Sequence, residues 1–373
     1  MNFNFVTHTP PGTVTGYLRE FIKIGGYYFM AHHTDSVIFR SVDGLNWTNI
    51  SGTLSASVTC LCVNADGTII LAGCADGAVY RSTDTGATWT RYDVSTYEIS
   101  RIVFANGTFY RSEQLYNSGK YGAYRSSTDG INWTLLKNTT TERFYALAGI
   151  GTDVYLVGDN ATQGCVFKSV GGGVPSQVYS SANTIGFYAV AELGAGRVGV
   201  CGFNGAFEYS DDGGSTWTKA TGIPAVTLSS IGVFNGNVYV ASTSNIYEST
   251  DNGATFTAYS VPDISGTIQN IRYIDGFVVL IGSGGVYITS RGNTVSGTVT
   301  DAAGNPAART VRAYRRDTGQ LVHETTSSAV DGSYSLLLGD VGEIDRVVIA
   351  DDVAEGVVYN DIIDRVIASG GTV

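Results

Sequence analysis

Ser82-Thr-Asp84-Thr-Gly86-Ala-Thr-Trp89 decides the fold, because the chain writes it again and again. Close copies are Ser41-Val-Asp43-Gly44-Leu-Asn-Trp47, Ser127-Thr-Asp129-Gly130-Ile-Asn-Trp133, Ser210-Asp-Asp212-Gly-Gly214-Ser-Thr-Trp217 and Ser249-Thr-Asp251-Asn-Gly253-Ala-Thr-Phe256. The aromatic ends fall 42, 44, 84 and 39 residues apart, and all 4 tryptophans of the chain lie in these units. The long gap spans two periods, and a decayed copy stands in its middle: Phe167-Lys-Ser169-Val-Gly171-Gly172. A last copy, Val286-Tyr287-Ile-Thr289-Ser-Arg291-Gly292, keeps strand and turn but has Arg where the others have Asp.

Seven units with a period of about 40 residues predict an all-β, seven-bladed β-propeller. Each unit parses into four strands; in the third they are Arg101–Ala105, Thr108–Arg111, Gly122–Ser126 and Asn132–Leu136, with Asn106-Gly107 turning the first hairpin. The last unit offers Ile271–Ile274, Phe277–Ile281 and Val286–Thr289 and no fourth strand. Asn2–Val6, with Phe3 and Phe5 in alternation, is the expected missing strand, which would leave no open sheet edge. The propeller is expected over residues 1–293.

These units resemble the Asp-box (BNR) repeats of sialidases, xyloglucan hydrolases, photosystem assembly propellers and sortilin. The resemblance implies a structural role for Asp43, Trp47, Asp84, Trp89, Asp129, Trp133, Asp212, Trp217, Asp251 and Phe256. Ser and Asp would bond the turn between third and fourth strands, Gly would supply its positive φ, and the aromatic ring would pack between blades.

From Val295 the pattern changes. Asp301-Ala-Ala-Gly304-Asn-Pro306, an alternating strand Val311–Arg316, and Asp331-Gly332-Ser-Tyr334 resemble the carboxypeptidase regulatory-like β-sandwich, expected over residues 294–373. Alternation puts Val311, Ala313 and Arg315 on one face and Arg312, Tyr314 and Arg316 on the other. Ala308–Gly319 and Val347–Val366 further resemble the C-terminal module of phage virion and tail proteins. That implies a virion structural protein, associated with tail, tail tip or fibre, with the propeller as platform and the sandwich as anchor. Asp351, Asp352, Asp361 and Asp364 are read as a solvated acidic edge rather than a Ca²⁺ site.

Composition narrows the partners. With 22 Lys+Arg against 33 Asp+Glu the net charge is −11, which disfavours nucleic acid. The 48 glycines, 23 tyrosines and 15 phenylalanines suit short strands and tight turns. No apolar run approaches the ~18 residues of a membrane span. Met1–Val6 does not read as a signal peptide, so synthesis in a host cytoplasm and residence in the virion are expected. Cys60, Cys62, Cys74, Cys165 and Cys201 read as buried free thiols.

No catalytic site, metal site or cofactor is predicted. The sialidase Phe/Tyr-Arg-Ile-Pro motif is absent; Leu18-Arg19-Glu20-Phe21 is the nearest text. Arg19, Arg101, Arg143 and Arg272 lie near inner-strand starts, but counted back from each hairpin they fall at different depths and are not expected to converge. His32 and His33 are neighbours on a strand and point to opposite faces. The alternative is a sialidase-like or other glycoside hydrolase with an accessory sandwich; a third reading is an assembly factor of the photosystem-propeller type. Partner binding is expected on the face carrying the links between second and third strands and between blades. Its candidates are Tyr116, Tyr121, Tyr97, Glu98, Arg143 and Tyr145, suited to a bacterial surface glycan, a protein receptor or other virion proteins. Tyr97, Phe144 and Tyr145 also begin inner strands, where packing between blades is the competing role.

Overall fold

The computed structural model describes residues 6–8, 18–33, 36–42, 47–52, 54–93, 95–114, 121–160, 162–234, 236–243, 245–260, 268–274, 277–283, 285–290, 294–301, 303–315, 321–337, 344–350 and 361–364. The chain divides into two compact units, one of Thr7–Arg272 with Val279–Tyr287, the other of Met1–Val6, Tyr273–Val278 and Ile288–Val373.

The larger unit is a β-propeller. Its blades are antiparallel sheets of four consecutive strands in simple order. Blade one is Leu18–Ile24, Tyr27–His32, Val37–Ser41 and Thr48–Asn49; blade two is Val58–Val63, Ile70–Cys74, Ala78–Ser82 and Thr90–Asp93. Blade three is Glu98–Ala105, Thr108–Gln114, Gly122–Ser127 and Thr134–Thr139; blade four is Arg143–Ile150, Asp153–Asp159, Gly164–Ser169 and Ser176–Ser181. Blade five is Phe187–Gly194, Arg197–Gly202, Phe207–Ser210 and Thr218–Lys219; blade six is Leu228–Phe234, Asn237–Ser242, Asn245–Ser249 and Thr257–Ser260.

Six blades, not seven, are therefore built this way, which corrects the count read from the sequence. The strands after residue 267 do form a further four-stranded sheet, in the order Val6–His8, Gly285–Ser290, Phe277–Gly282, Ile268–Ile274. It is composite: its residues are distributed over both units, and its fourth member comes from the other end of the chain. The seventh copy of the repeat had strands to offer but no self-sufficient blade. The pairing N-terminal strand is Val6–His8 rather than Asn2–Val6, whose residues 2–5 lie outside the described residues.

Strand alternation builds the core between blades. Each blade turns one set of side chains to its predecessor and the other to its successor. Phe29, Ile38, Val58, Ile70, Tyr80 and Trp89 pack between blades one and two. Tyr110, Tyr124, Phe144, Leu156 and Phe167 pack between three and four. Leu193, Phe207, Val240, Tyr247 and Phe256 pack between five and six. The five cysteines are free and buried, Cys74, Cys165 and Cys201 in these layers and Cys60 and Cys62 in the one between blades two and three.

The repeated turn is a hydrogen-bonded knot. The Ser82 hydroxyl donates to Asp84 Oδ1 at 2.7 Å and accepts from the Gly86 N–H at 2.9 Å. The Thr88 N–H and hydroxyl close on the same carboxylate at 2.9 and 2.6 Å. Asp129, Asp212 and Asp251 repeat this pattern. Gly86 has φ +81°, and a Cβ there would lie 2.8 Å from Ile50 and 2.9 Å from Phe29. Trp89 is buried, Trp47 meets Phe21 edge-on at 5.8 Å, and Trp217 stacks on Tyr179 at 5.1 Å. Phe256 meets Phe207 at 4.7 Å, and Trp133 carries the Arg111 guanidinium 4.5 Å above its ring. Asp43 lies outside the described residues.

Each first strand also carries a β-bulge near its start, where one residue drops out of the ladder with the second strand. The skipped residues are Arg19, Thr59, Ser100, Tyr145, Tyr188 and Ser229, one per blade. A bulge re-aims a side chain and frees it from strict alternation.

In the smaller unit, Thr294–Thr298 pairs with Ser333–Leu337, and a four-stranded sheet runs Leu321–Thr326, Thr310–Arg315, Ile344–Ala350, Asp361–Asp364. Val311 and Ala313 are fully buried, while Arg312 on the other face pairs with Glu324. Asp351 and Asp352, and the side chains of Asp361 and Asp364, lie outside the described residues.

Candidate binding face

In an antiparallel blade the first hairpin and the Ser-x-Asp turn share one face of the propeller. The second-to-third links, the links between blades and the starts of the first strands share the other. Since first strands of successive blades lie against one another, the bulged starts gather around the axis. Three clusters organise this face.

The first is axial. Glu20, 1% exposed, is gripped by Arg101 Nη1 at 2.5 Å and by Arg272 Nη2 at 2.9 Å. Arg272 Nη1 donates to Asn270 Oδ1 at 2.6 Å, and the same oxygen accepts from the Ser230 hydroxyl at 2.6 Å. Asn270 Nδ2 reaches the Arg19 carbonyl at 3.3 Å. Burial opposes the charge on Arg101, but the Glu20 carboxylate outweighs it and raises the guanidinium above its ordinary value. The expectation that these arginines do not converge is thus corrected for Arg101 and Arg272.

The second cluster lies between blades two and three. Tyr97 and Tyr121 stack at 4.0 Å. Beneath them Glu113, fully buried, binds Arg111 at 2.5 Å and Arg125 at 2.8 Å, and accepts the Ser95 hydroxyl at 2.9 Å. Burial lowers the Arg111 guanidinium to about 10, with Glu113 opposing. Glu98, hydrogen-bonded to Gln114, is pushed upward by burial against the pull of Arg19. Tyr97 therefore packs on the surface aromatic Tyr121 rather than only between blades. Tyr116 lies outside the described residues.

The third spans blades four to six. Arg143 pairs with Asp159 at 2.8 Å, and the Tyr145 hydroxyl donates to the same Asp159 oxygen. Tyr145, Tyr188 and Phe203 form a row of rings, with centroids 5.2 and then 4.7 Å apart. Phe203 lines a cleft of about 490 Å³ together with Thr162, Asn183, Thr184, Ile185, Asn204 and Thr227 among others. Phe144, by contrast, is fully buried.

The structure places Tyr97, Tyr121, Glu98, Arg143 and Tyr145, all singled out from the sequence, on this face, and sets beside them Glu20, Glu113, Asp159, Tyr188 and Phe203, which were not. Of the neighbouring His32 and His33, His32 is buried and His33 Nδ1 lies 3.4 Å from the Val58 carbonyl. Among the described residues no three His, Cys, Asp or Glu side chains come together as metal ligands.

Topology and face define the class: this is a β-propeller. Virginiamycin B lyase from Staphylococcus aureus is similar in structure, at a TM-score of 0.64 and 14% identity, over 77% of this chain and 99% of that one. A streptogramin B lyase matches with a TM-score of 0.66 at 12% identity, over 78% of this chain and 98% of that one. YCF48 bound to D1 peptide matches with a TM-score of 0.60 at 14% identity, over 81% and 96%. Likeness at this identity shows the fold alone. No protein-family model matches the sequence, and comparison with curated proteins finds no match.

Proposed function

We propose that this chain is a non-catalytic structural protein of a bacteriophage virion, associated with the tail, tail tip or fibre. Its Asp-box propeller serves as a recognition platform and residues 294–373 as the anchoring sandwich. One observation carries the platform reading: Glu20, Glu113 and Asp159 on the candidate face are each committed to arginine. Most glycoside hydrolases, sialidases with their tyrosine nucleophile excepted, need a proton-bearing carboxyl facing a second, available carboxylate. Carboxylates locked in ion pairs instead fix the shape of a surface on which Tyr97, Tyr121, Tyr145 and Tyr188 offer aromatic area. The virion assignment is supported by the phage-like text of Ala308–Gly319 and Val347–Val366.

Glu98, raised by burial, is the group that a catalytic reading would choose. The purified chain should therefore show no turnover of sialosides, xyloglucan or bacterial surface glycans. Reproducible turnover that vanishes in Glu98→Gln would overturn the proposal. Deleting Val295–Val373 in the virus should give a folded propeller that no longer incorporates; normal incorporation would remove the anchoring role.

A further inference from the structure

The cleft of blades four to six has a lining that specifies a ligand class. Its walls come from four links on one face. Thr162 belongs to the second-to-third link of blade four, and Ala182–Ile185 to the passage into blade five. Phe203 and Asn204 sit in a tight turn within blade five, and Ala225–Thr227 lead into blade six. Its volume of about 490 Å³ falls inside the roughly 300–1,000 Å³ of small-molecule sites.

Among the described residues no charged side chain lines it: the polar groups are the hydroxyls of Thr162 and Thr227 and the amides of Asn183 and Asn204, while the Thr184 hydroxyl is engaged by the Gly186 backbone. Asn183 is fixed by donating Nδ2–H to the buried Glu208 at 3.0 Å. Phe203 is half-buried and Ile185 is 59% exposed, so an apolar surface adjoins the polar one. Behind Phe203 the rings of Tyr188 and Tyr145 extend the aromatic row toward the axis.

Neutral hydroxyl and amide groups beside an aromatic ring match a molecule with many hydroxyls and an apolar face. The chain's net charge of −11 works against an anionic ligand. A peptide adding as a strand would need free backbone edges. Yet the Gly164 N–H already serves Thr184 O, Phe203 N–H serves Gly186 O, and Gly205 N–H serves Val226 O, at 2.8, 3.1 and 2.6 Å. We propose that this cleft, with Phe203 as its stacking platform, is a subsite for a neutral saccharide. The proposal deepens the reading of this face as the recognition surface and rests on it.

The test is direct binding of the full chain to neutral oligosaccharides of glucose, galactose and N-acetylhexosamines, with uronic-acid oligosaccharides and unstructured peptides as competitors. A neutral oligosaccharide should bind, and Phe203→Ala should weaken it by about tenfold, the usual effect of losing an aromatic anchor. Ile185→Arg keeps the fold's buried groups and obstructs the cleft; it should weaken binding comparably, while Leu135→Ala, exposed on the outer strand of blade three, should not. Absence of binding by any neutral sugar, binding indifferent to both cleft variants, or preferential binding of the acidic sugars or peptides would each overturn the proposal. Failure here with normal virion incorporation would sink the subsite and leave the virion reading standing. Sugar binding by a chain that no particle contains would do the reverse.

Discussion

Trp89 and Trp217 occupy the same place in the repeat and differ in burial, so they separate scaffold from surface. Trp89→Ala opens a cavity between blades one and two and should cost about 3–5 kcal/mol in denaturant unfolding. Trp217, half-buried against Tyr179, should cost less. Equal losses would contradict this packing. The turn carboxylates make a pH prediction. At Asp84 and Asp251 burial opposes ionisation, but hydroxyl and N–H donors overcome it; at Asp212 the Thr216 hydroxyl leads. All three are held down at about 2 from an ordinary 3.8. A depressed folded value stabilises the native state above the unfolded value, and that stability is lost as pH falls from 3.8 toward 2. Melting temperature should therefore drop over that window, and Asp84→Asn should flatten part of the drop. An unchanged acid profile in this variant would count against the turn's role.

At the level of strands and blades, much was legible because the turn that joins third to fourth strands needs Ser, Asp and Gly at fixed offsets. Those residues cannot drift without breaking the hydrogen bonds from Ser82 to Gly86 and their equivalents. The blade count was misread for a physical reason. Strand-forming text from Ile268 to Ser290 looks like any other repeat, but whether it completes a blade depends on a partner from the other end of the chain. The axial cluster was hidden by the bulges. Glu20 and Arg101 each follow a bulge and stand four residues before the strand ends Ile24 and Ala105, whereas Arg272 stands two before Ile274. Depth counted from the hairpins made them look out of line; side chains long enough to span that offset bring them together. Removing residues 1–8 would take Val6–His8 from Gly285–Ser290 and leave an unpaired edge. The truncated chain should melt lower and aggregate more readily in light scattering. A truncation that melts with the full chain would show that this pairing contributes nothing.

For the whole propeller, Glu20 links elements remote in sequence: Arg101 is 81 residues away and Arg272 is 252. Glu20→Ala would leave two guanidinium groups facing each other with no carboxylate between them. Breaking such a buried pair typically costs about 3–5 kcal/mol. Since Arg101 and Arg272 are 27% and 23% exposed, the lower end is expected, read as a fall in unfolding midpoint. An unaltered midpoint would mean the cluster serves binding alone. The bulged positions bear on how such a chain diverges. Thr59 and Ser229 use theirs to tie neighbouring first strands, through Ile99 O and Ile268 O, whereas Arg19, Tyr145 and Tyr188 leave theirs to the open face. A lineage changing what this face binds would then alter Arg19, Tyr145 and Tyr188, single letters 126 and 43 residues apart, with every turn between them intact. In an alignment, such a change of allegiance would pass for scattered noise.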